Sequence, residues 1–158
     1  MNKKTDPLQE AKEYAFLLLK FRMRSEKELA SRLKKKKFDD QIINETLSFL
    51  KDKDFIDDNY FAKTWIESRI KKPLGIRRLR QELKLKGVDK EIIDRQIEEV
   101  KKGYSEEDVV LALAREKIKR IKGIDPYKAK RRIYAYLLRR GFSPEIVMDA
   151  VSQLKYVT

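Results

Sequence analysis

Apolar residues along this chain recur in one arrangement three times. The segments "LASRLKKKKFDDQIINETLSFL" from Leu29, "LRQELKLKGVDKEIIDRQIEEV" from Leu79 and "IYAYLLRRGFSPEIVMDAVSQL" from Ile133 align without gaps, at offsets of 50 and 54 residues. Their apolar side chains coincide at Leu29/Leu79/Ile133, Leu33/Leu83/Leu137, Phe38/Val88/Phe142, Ile42/Ile92/Ile146, Ile43/Ile93/Val147, Leu47/Ile97/Val151 and Leu50/Val100/Leu154. That many coincidences in three copies identify an internal repeat. Apolar positions at i and i+4, a break, then i, i+1, i+5 and i+8 predict two amphipathic helices joined by a tight corner.

The polar residues at the corner agree with that reading. Asp39, Asp89 and Ser143 stand where a helix N-cap belongs, Pro144 follows at a first helical position, and Gly87 and Gly141 fill the preceding slot that favours a left-handed backbone. A further helical pattern precedes each pair: Ala11, Tyr14, Ala15, Leu18; Phe61, Ala62, Trp65, Ile66, Arg69; Val109, Val110, Leu113, Ala114, Ile118. Asp57 or Asp58 can cap the second of these and Ser105 the third. The linkers are short apart from "IKGID" at 121–125, and no useful strand alternation occurs. The expected fold is all-α: three tandem three-helix, helix-turn-helix-like repeats forming an elongated, curved array. An N-terminal tail over 1–10 is followed by repeats over 11–56, 57–104 and 105–158.

Charge changes this picture, because it is not spread evenly. Of 158 residues, 39 are Lys or Arg and 26 are Asp or Glu, a net charge of +13. Over 25–37, 75–87 and 126–141 the second helices carry six, five and six cations against two, one and no anions. The third helices are acidic; "DKEIIDRQIEEV" holds five carboxylates and two cations. In a DNA-reading helix-turn-helix the helix after the turn enters the major groove, flanked by phosphates. The acidity of the third helices therefore argues against base readout, and leaves a basic surface on the second helices for phosphates or an acidic protein groove.

Candidate contacts follow from that surface: Lys27, Arg32, Lys34, Lys35 and Lys36 in the first copy, Arg77, Arg78, Arg80, Lys84 and Lys86 in the second, and Arg131, Arg132, Arg139 and Arg140 in the third. Lys36, Lys86 and Arg140 share a place at a helix C-terminus, where the dipole itself favours a cation. Arg77 and Arg78 lie in an opening turn, where it does not, and are the stronger binding candidates. Phe61 and Trp65, one turn apart, read as core neighbours; Tyr134 and Tyr136 read as packing between repeats rather than stacking on bases.

Candidate chemistry is sparse. The chain has no His and no Cys, which removes the commonest general base and metal ligand together with thiolate chemistry. No phosphate-binding glycine loop or nucleophile elbow occurs. The adjacent Asp57 and Asp58 read as caps rather than metal ligands. No enzyme, metal or cofactor is expected. The apolar run "YAFLLLKF" is too short to span a bilayer and lacks a signal-peptide cleavage site, so a cytoplasmic protein without a membrane partner is expected.

"SEKELASRLKKKKF", "FIDDNYFAKTWIESRI", "GIRRLRQELKLKGVD" and "LLRRGFSPEIV" resemble, in order and spacing, the signatures of the RecX family of bacterial recombination regulators, over about Ala11 to Leu154. The resemblance implies a protein of three tandem three-helix repeats that binds the RecA recombinase; a monomer is expected. Such proteins lodge in the groove of the RecA filament on DNA and inhibit its ATP hydrolysis, strand exchange and coprotease functions. The family's signature residues fall on Asp57, Asp58, Phe61, Ala62, Trp65, Arg69, Gly75, Arg80, Glu82, Leu83 and Gly87, several of which read as structural. A general DNA-binding protein, holding single- or double-stranded DNA through phosphate contacts, is the alternative. One departure is visible: Lys37 stands where the other copies have glycine, so that corner either keeps a left-handed backbone at a cost of ~1 kcal/mol or adopts another geometry.

Overall fold

The computed structural model describes residues 4–156. Among these the fold is all-α, with no strand. Its helices are α1 (Pro7–Phe21), α2 (Glu26–Lys35), α3 (Asp40–Asp52), α4 (Asp58–Ile70), α5 (Ile76–Leu85), α6 (Lys90–Lys101), α7 (Glu106–Arg120), α8 (Pro126–Arg139) and α9 (Pro144–Ser152). They form three tandem three-helix repeats. Of the tail expected over 1–10, residues 1–3 lie outside the described residues, as do 157–158 of the third repeat. The helix begins earlier than that tail allows: Asp6 accepts from Leu8 N–H at 3.1 Å and Pro7 takes the first helical position, where its missing N–H costs nothing.

The chain divides into two compact units, one running up to Trp65 with Leu83–Ile93, the other comprising Ile66–Glu82 and Asp94 onward. In the first, α1, α2 and α3 close on Ala11, Ala15, Leu18, Leu29, Leu33, Ile43, Leu47 and Leu50. In the second, α7, α8 and α9 close on Val110, Ala114, Ile133, Leu137, Phe142, Val147 and Val151. Of the aligned apolar positions, Leu29, Leu79 and Ile133 are fully buried, as are Leu33, Leu83 and Leu137. Tyr134 and Tyr136 pack against the core of the third repeat, each three residues from a fully buried position, Leu137 and Ile133 respectively.

The corner is the same in all three copies. Lys37, Gly87 and Gly141 take φ of 68°, 78° and 90°. Each donates to the carbonyl three residues back, at 2.9, 3.0 and 2.9 Å, and the next residue donates five back, Phe38 to Leu33, Val88 to Leu83 and Phe142 to Leu137. This is the Schellman arrangement, whose apolar pair fixes the exit of the chain. Lys37 therefore keeps the left-handed corner instead of escaping it. Asp39 and Ser143 then cap α3 and α9 through Ile42 and Ile146 N–H.

The middle helices are held by their ends. The Ser25 hydroxyl at the N-cap of α2 donates to the Lys86 carbonyl at the end of α5, within the first unit. Gly75, at the equivalent place before α5, donates its N–H to the Arg140 carbonyl at the end of α8 at 2.9 Å, within the second. An acid from the start of the following repeat completes each junction. Asp58 accepts from Glu26 N–H at 2.9 Å, and Glu106 from Ile76 N–H at 2.7 Å. One helix thus supplies carbonyls where another offers unsatisfied N–H groups, and the two dipoles meet with opposite signs.

Two stability outcomes follow. Lys37→Gly relieves a strained backbone and should raise the free energy of unfolding in urea by about 1 kcal/mol with unchanged helicity. A Cβ on Gly75 would overlap the Gly141 carbonyl, whereas one on Gly103 meets nothing within 4 Å. Gly75→Ala should therefore cost more than about 2 kcal/mol and Gly103→Ala close to nothing, measured in the same titration.

Candidate partner-binding surface

The fourteen candidate cations separate once their neighbours are known. Arg78 Nε lies 3.3 Å from Glu82, and Arg80 pairs with Asp94 of α6. Lys86 reaches Glu28 at 3.7 Å and lies 5.1 Å from the Trp65 ring centroid. Arg140 donates to the Pro73 carbonyl at 3.5 Å and lies over the Tyr136 ring, and Lys36 approaches the Tyr14 ring at 5.2 Å. These five have partners within the fold, and Lys36 and Arg78 are nonetheless exposed. Lys27, Arg32, Lys34, Lys35, Arg77, Lys84, Arg131, Arg132 and Arg139 are exposed, and no carboxylate among the described residues pairs with them. Each repeat therefore presents free cations from its middle helix.

The distinction between Arg77 and Arg78 comes from the junction. A Cβ built on Gly141 would collide with Arg78, so that residue packs at the end of α8, whereas Arg77 projects into solvent. The opening turn of α5 has no acid of its own. The carbonyl end of α8 and the Glu106 carboxylate supply the negative potential that makes two successive arginines tolerable there.

The signature residues hold this framework. Asp57 caps α4, accepting from Asn59 and Tyr60 N–H at 2.9 and 3.3 Å, while Asp58 turns away to cap α2. Phe61 and Ala62 are buried, and Phe61 stacks on Trp65 with centroids 6.0 Å apart. Arg69 grips Glu82 through two hydrogen bonds of 3.0 and 2.7 Å, a bidentate geometry that keeps the guanidinium charged. Leu83 is buried; Gly87 supplies the left-handed corner and leaves room for the Lys27 side chain.

Three residues absent from the sequence-based set anchor the same network. Glu28 draws Arg22 at 2.6 Å and Arg24 at 3.9 Å as well as Lys86. Glu106 caps α5, and the Tyr104 hydroxyl donates to the Leu74 carbonyl at 2.8 Å, with burial pushing its ionisation up to about 12. The available signal for the caps was the recurrence of an acid, Asp58 and then Glu106, at the first position of α4 and of α7.

Three family models match in chain order: "RecX, first three-helix domain" over residues 11–50, "RecX, second three-helix domain" over 57–95 and "RecX, third three-helix domain" over 105–151. The chain belongs to the RecX family. It is 37% identical over 141 residues to "Regulatory protein RecX" of Chlorobium phaeobacteroides, covering 89% of this chain and 90% of that one. It is 34% identical to the protein of the same name from Mycobacterium sp. strain KMS, covering 91% and 81%. Among solved structures, RecX from Lactobacillus salivarius matches in fold with a TM-score of 0.82 at 22% identity, covering 94% of this chain and 97% of that one. These relatives are named regulatory proteins, which supports a regulatory role. Among the described residues no helix is long and apolar enough to cross a membrane, and no cluster of acids is arranged to hold a metal ion.

The junction acids of this RecX-family chain carry a pH signature. Burial, opposed by the Glu26 N–H and reinforced by neighbouring Glu26, Asp89 and Asp57, raises the Asp58 carboxyl above its ordinary value; burial likewise raises Glu106 against the Ile76 N–H. The folded state therefore holds these protons more tightly than the unfolded chain. Their stabilisation is complete below about pH 4 and is lost as the pH rises through the folded values. Asp58→Asn and Glu106→Gln keep an acceptor without that penalty, so in urea titrations they should gain on the parent protein between about pH 4 and pH 7. Asp58→Ala should instead lose about 1 kcal/mol.

Proposed function

We propose that this protein is a non-enzymatic regulator that binds the RecA recombinase filament on DNA and inhibits its ATP hydrolysis, strand exchange and coprotease activities. Through these it modulates recombination, DNA repair and the SOS response. The observation that carries the reading is the recurrence, in a chain of the RecX family, of exposed cations on the middle helix of every repeat. A nucleoprotein filament offers repeated phosphates and acidic protein surface, and repeated basic helices are suited to it.

In this reading the repeats over 11–56, 57–104 and 105–158 act as tandem contact modules of a cytoplasmic monomer. The contacts come from Lys27, Arg32, Lys34, Lys35, Arg77, Lys84, Arg131, Arg132 and Arg139. Lys36, Arg78, Arg80, Lys86 and Arg140 shape the helices that present them, and no residue acts as a catalyst.

The test is DNA-dependent ATP hydrolysis by the cognate RecA. The purified protein should suppress it at or below stoichiometric ratios while leaving an unrelated DNA-dependent ATPase active. Inhibition of both enzymes in proportion to DNA covered would point to coating of DNA, and no effect on RecA would sink the proposal. Arg77→Glu combined with Lys84→Glu should raise the concentration needed for half-inhibition about tenfold, with unchanged thermal unfolding.

A further inference from the structure

In the second repeat the approach to the middle helix is covered. Leu74, two residues ahead of α5, is 3% exposed beneath its hydrogen bond from Tyr104. Ahead of α8 the corresponding stretch is the long linker over 121–125, and it stays open. Here Asp125 caps α8 through Lys128 N–H and Pro126 has no N–H to satisfy, so no acid from another element is needed. Ile118, Ile121 and Ile124 are left half-buried around a cavity of about 480 Å³, which lies within the range of ligand sites. Pro126 and buried Ala129 contribute to its lining. Tyr156 forms a wall, fixed by its hydroxyl donating to the Val151 carbonyl at 3.1 Å.

The mouth of this cavity carries one sign of charge. Lys119, Lys122 and Lys155 line it, all exposed, and no carboxylate among the described residues pairs with them. The acids nearest in sequence are engaged elsewhere, Asp125 by Lys128 N–H and Glu116 by Arg120 at 3.7 Å. An apolar concavity rimmed by unpaired cations selects an apolar group that brings anions with it. Single-stranded nucleic acid would instead seek aromatic platforms, and Tyr156 is the sole aromatic side chain in the lining.

We propose that this cavity is a docking site for an acidic protein segment carrying a bulky apolar side chain. The side chain enters among Ile118, Ile121, Ile124 and Pro126, and flanking carboxylates meet Lys119, Lys122 and Lys155. The site is separate from the cations assigned to the filament and does not rest on that assignment.

Fluorescence anisotropy with the intact protein tests it. One fluorescein-labelled pentapeptide has phenylalanine between two aspartates on each side; the other has serine in its place, at the same charge. The phenylalanine peptide should bind about tenfold or more tightly than the serine peptide. Ile124→Ser and Lys122→Glu should each weaken it by a similar factor, while Lys63→Glu, exposed on α4, should leave it unchanged. Equal binding of the two peptides would reduce the effect to net charge and overturn the proposal, as would unchanged affinity in both cavity variants. Concentration-dependent self-association abolished by Ile124→Ser in sedimentation equilibrium would place a second copy in the cavity. Displacement of the peptide by an oligothymidylate whose own binding needs Ile124 would make it a nucleic-acid site. Either outcome overturns the protein-segment reading.

Discussion

A helix cannot satisfy its own ends, and the middle helices here solve that problem with one another. The N-terminus of α2 takes a carbonyl from the end of α5 and a carboxylate from Asp58; the N-terminus of α5 takes a carbonyl from the end of α8 and a carboxylate from Glu106. Unpaired N–H groups buried at such sites would each cost on the order of 1–3 kcal/mol. Much else follows from closing these junctions. Gly75 lacks a side chain because the Gly141 carbonyl occupies the space, and Gly141 lacks one because Arg78 does. Asp58 and Glu106 are acids at the first turn of one helix because a different helix needs the acceptor.

The same constraint sorts the basic residues. A helix start disfavours cations, yet Arg77 and Arg78 occupy one because opposing carbonyls and Glu106 reverse the local potential. Some cations close to a junction find an acid there, as Arg78 does at Glu82 and Lys86 at Glu28. The others, among them Arg77 beside the same junction and Lys84 two turns along α5, face solvent and stay unpaired among the described residues. The candidate binding surface is what remains of the positive charge after the framework has used its share.

Much of the fold was legible in the chain because its determinants are local. Helical periodicity, the caps at Asp39, Ser105 and Ser143 and the glycine corners each depend on residues within a few positions of one another. Even the departure at Lys37 was legible as one of two outcomes, and the Leu33 and Phe38 pair decides it by keeping the chain on its left-handed path. The candidate surface was legible as helices, not as residues. Arg78 has its carboxylate one turn along the same helix, at Glu82, but nothing local to Arg80 or Lys86 reveals their acids, nor to Arg140 its carbonyl acceptor, since Asp94, Glu28 and the Pro73 carbonyl lie 14, 58 and 67 positions away. Asp57 and Asp58 make the point most sharply: adjacent and alike, they cap different helices.

The sequence by itself determined an all-α chain of three repeated units, the location of each corner, the concentration of positive charge on the middle helices and membership of the RecX family. Each of these follows from spacing, composition or ordered motifs, which are properties of neighbouring residues. Only the tertiary structure decided which helix end meets which, and hence which cations have partners within the fold and which stay unpaired among the described residues. It alone shows that the linker over 121–125 leaves an open, lysine-rimmed cavity where the linker before α5 is covered. End-to-end closure depends on how one repeat packs against the next, and no local pattern of residues encodes that distance.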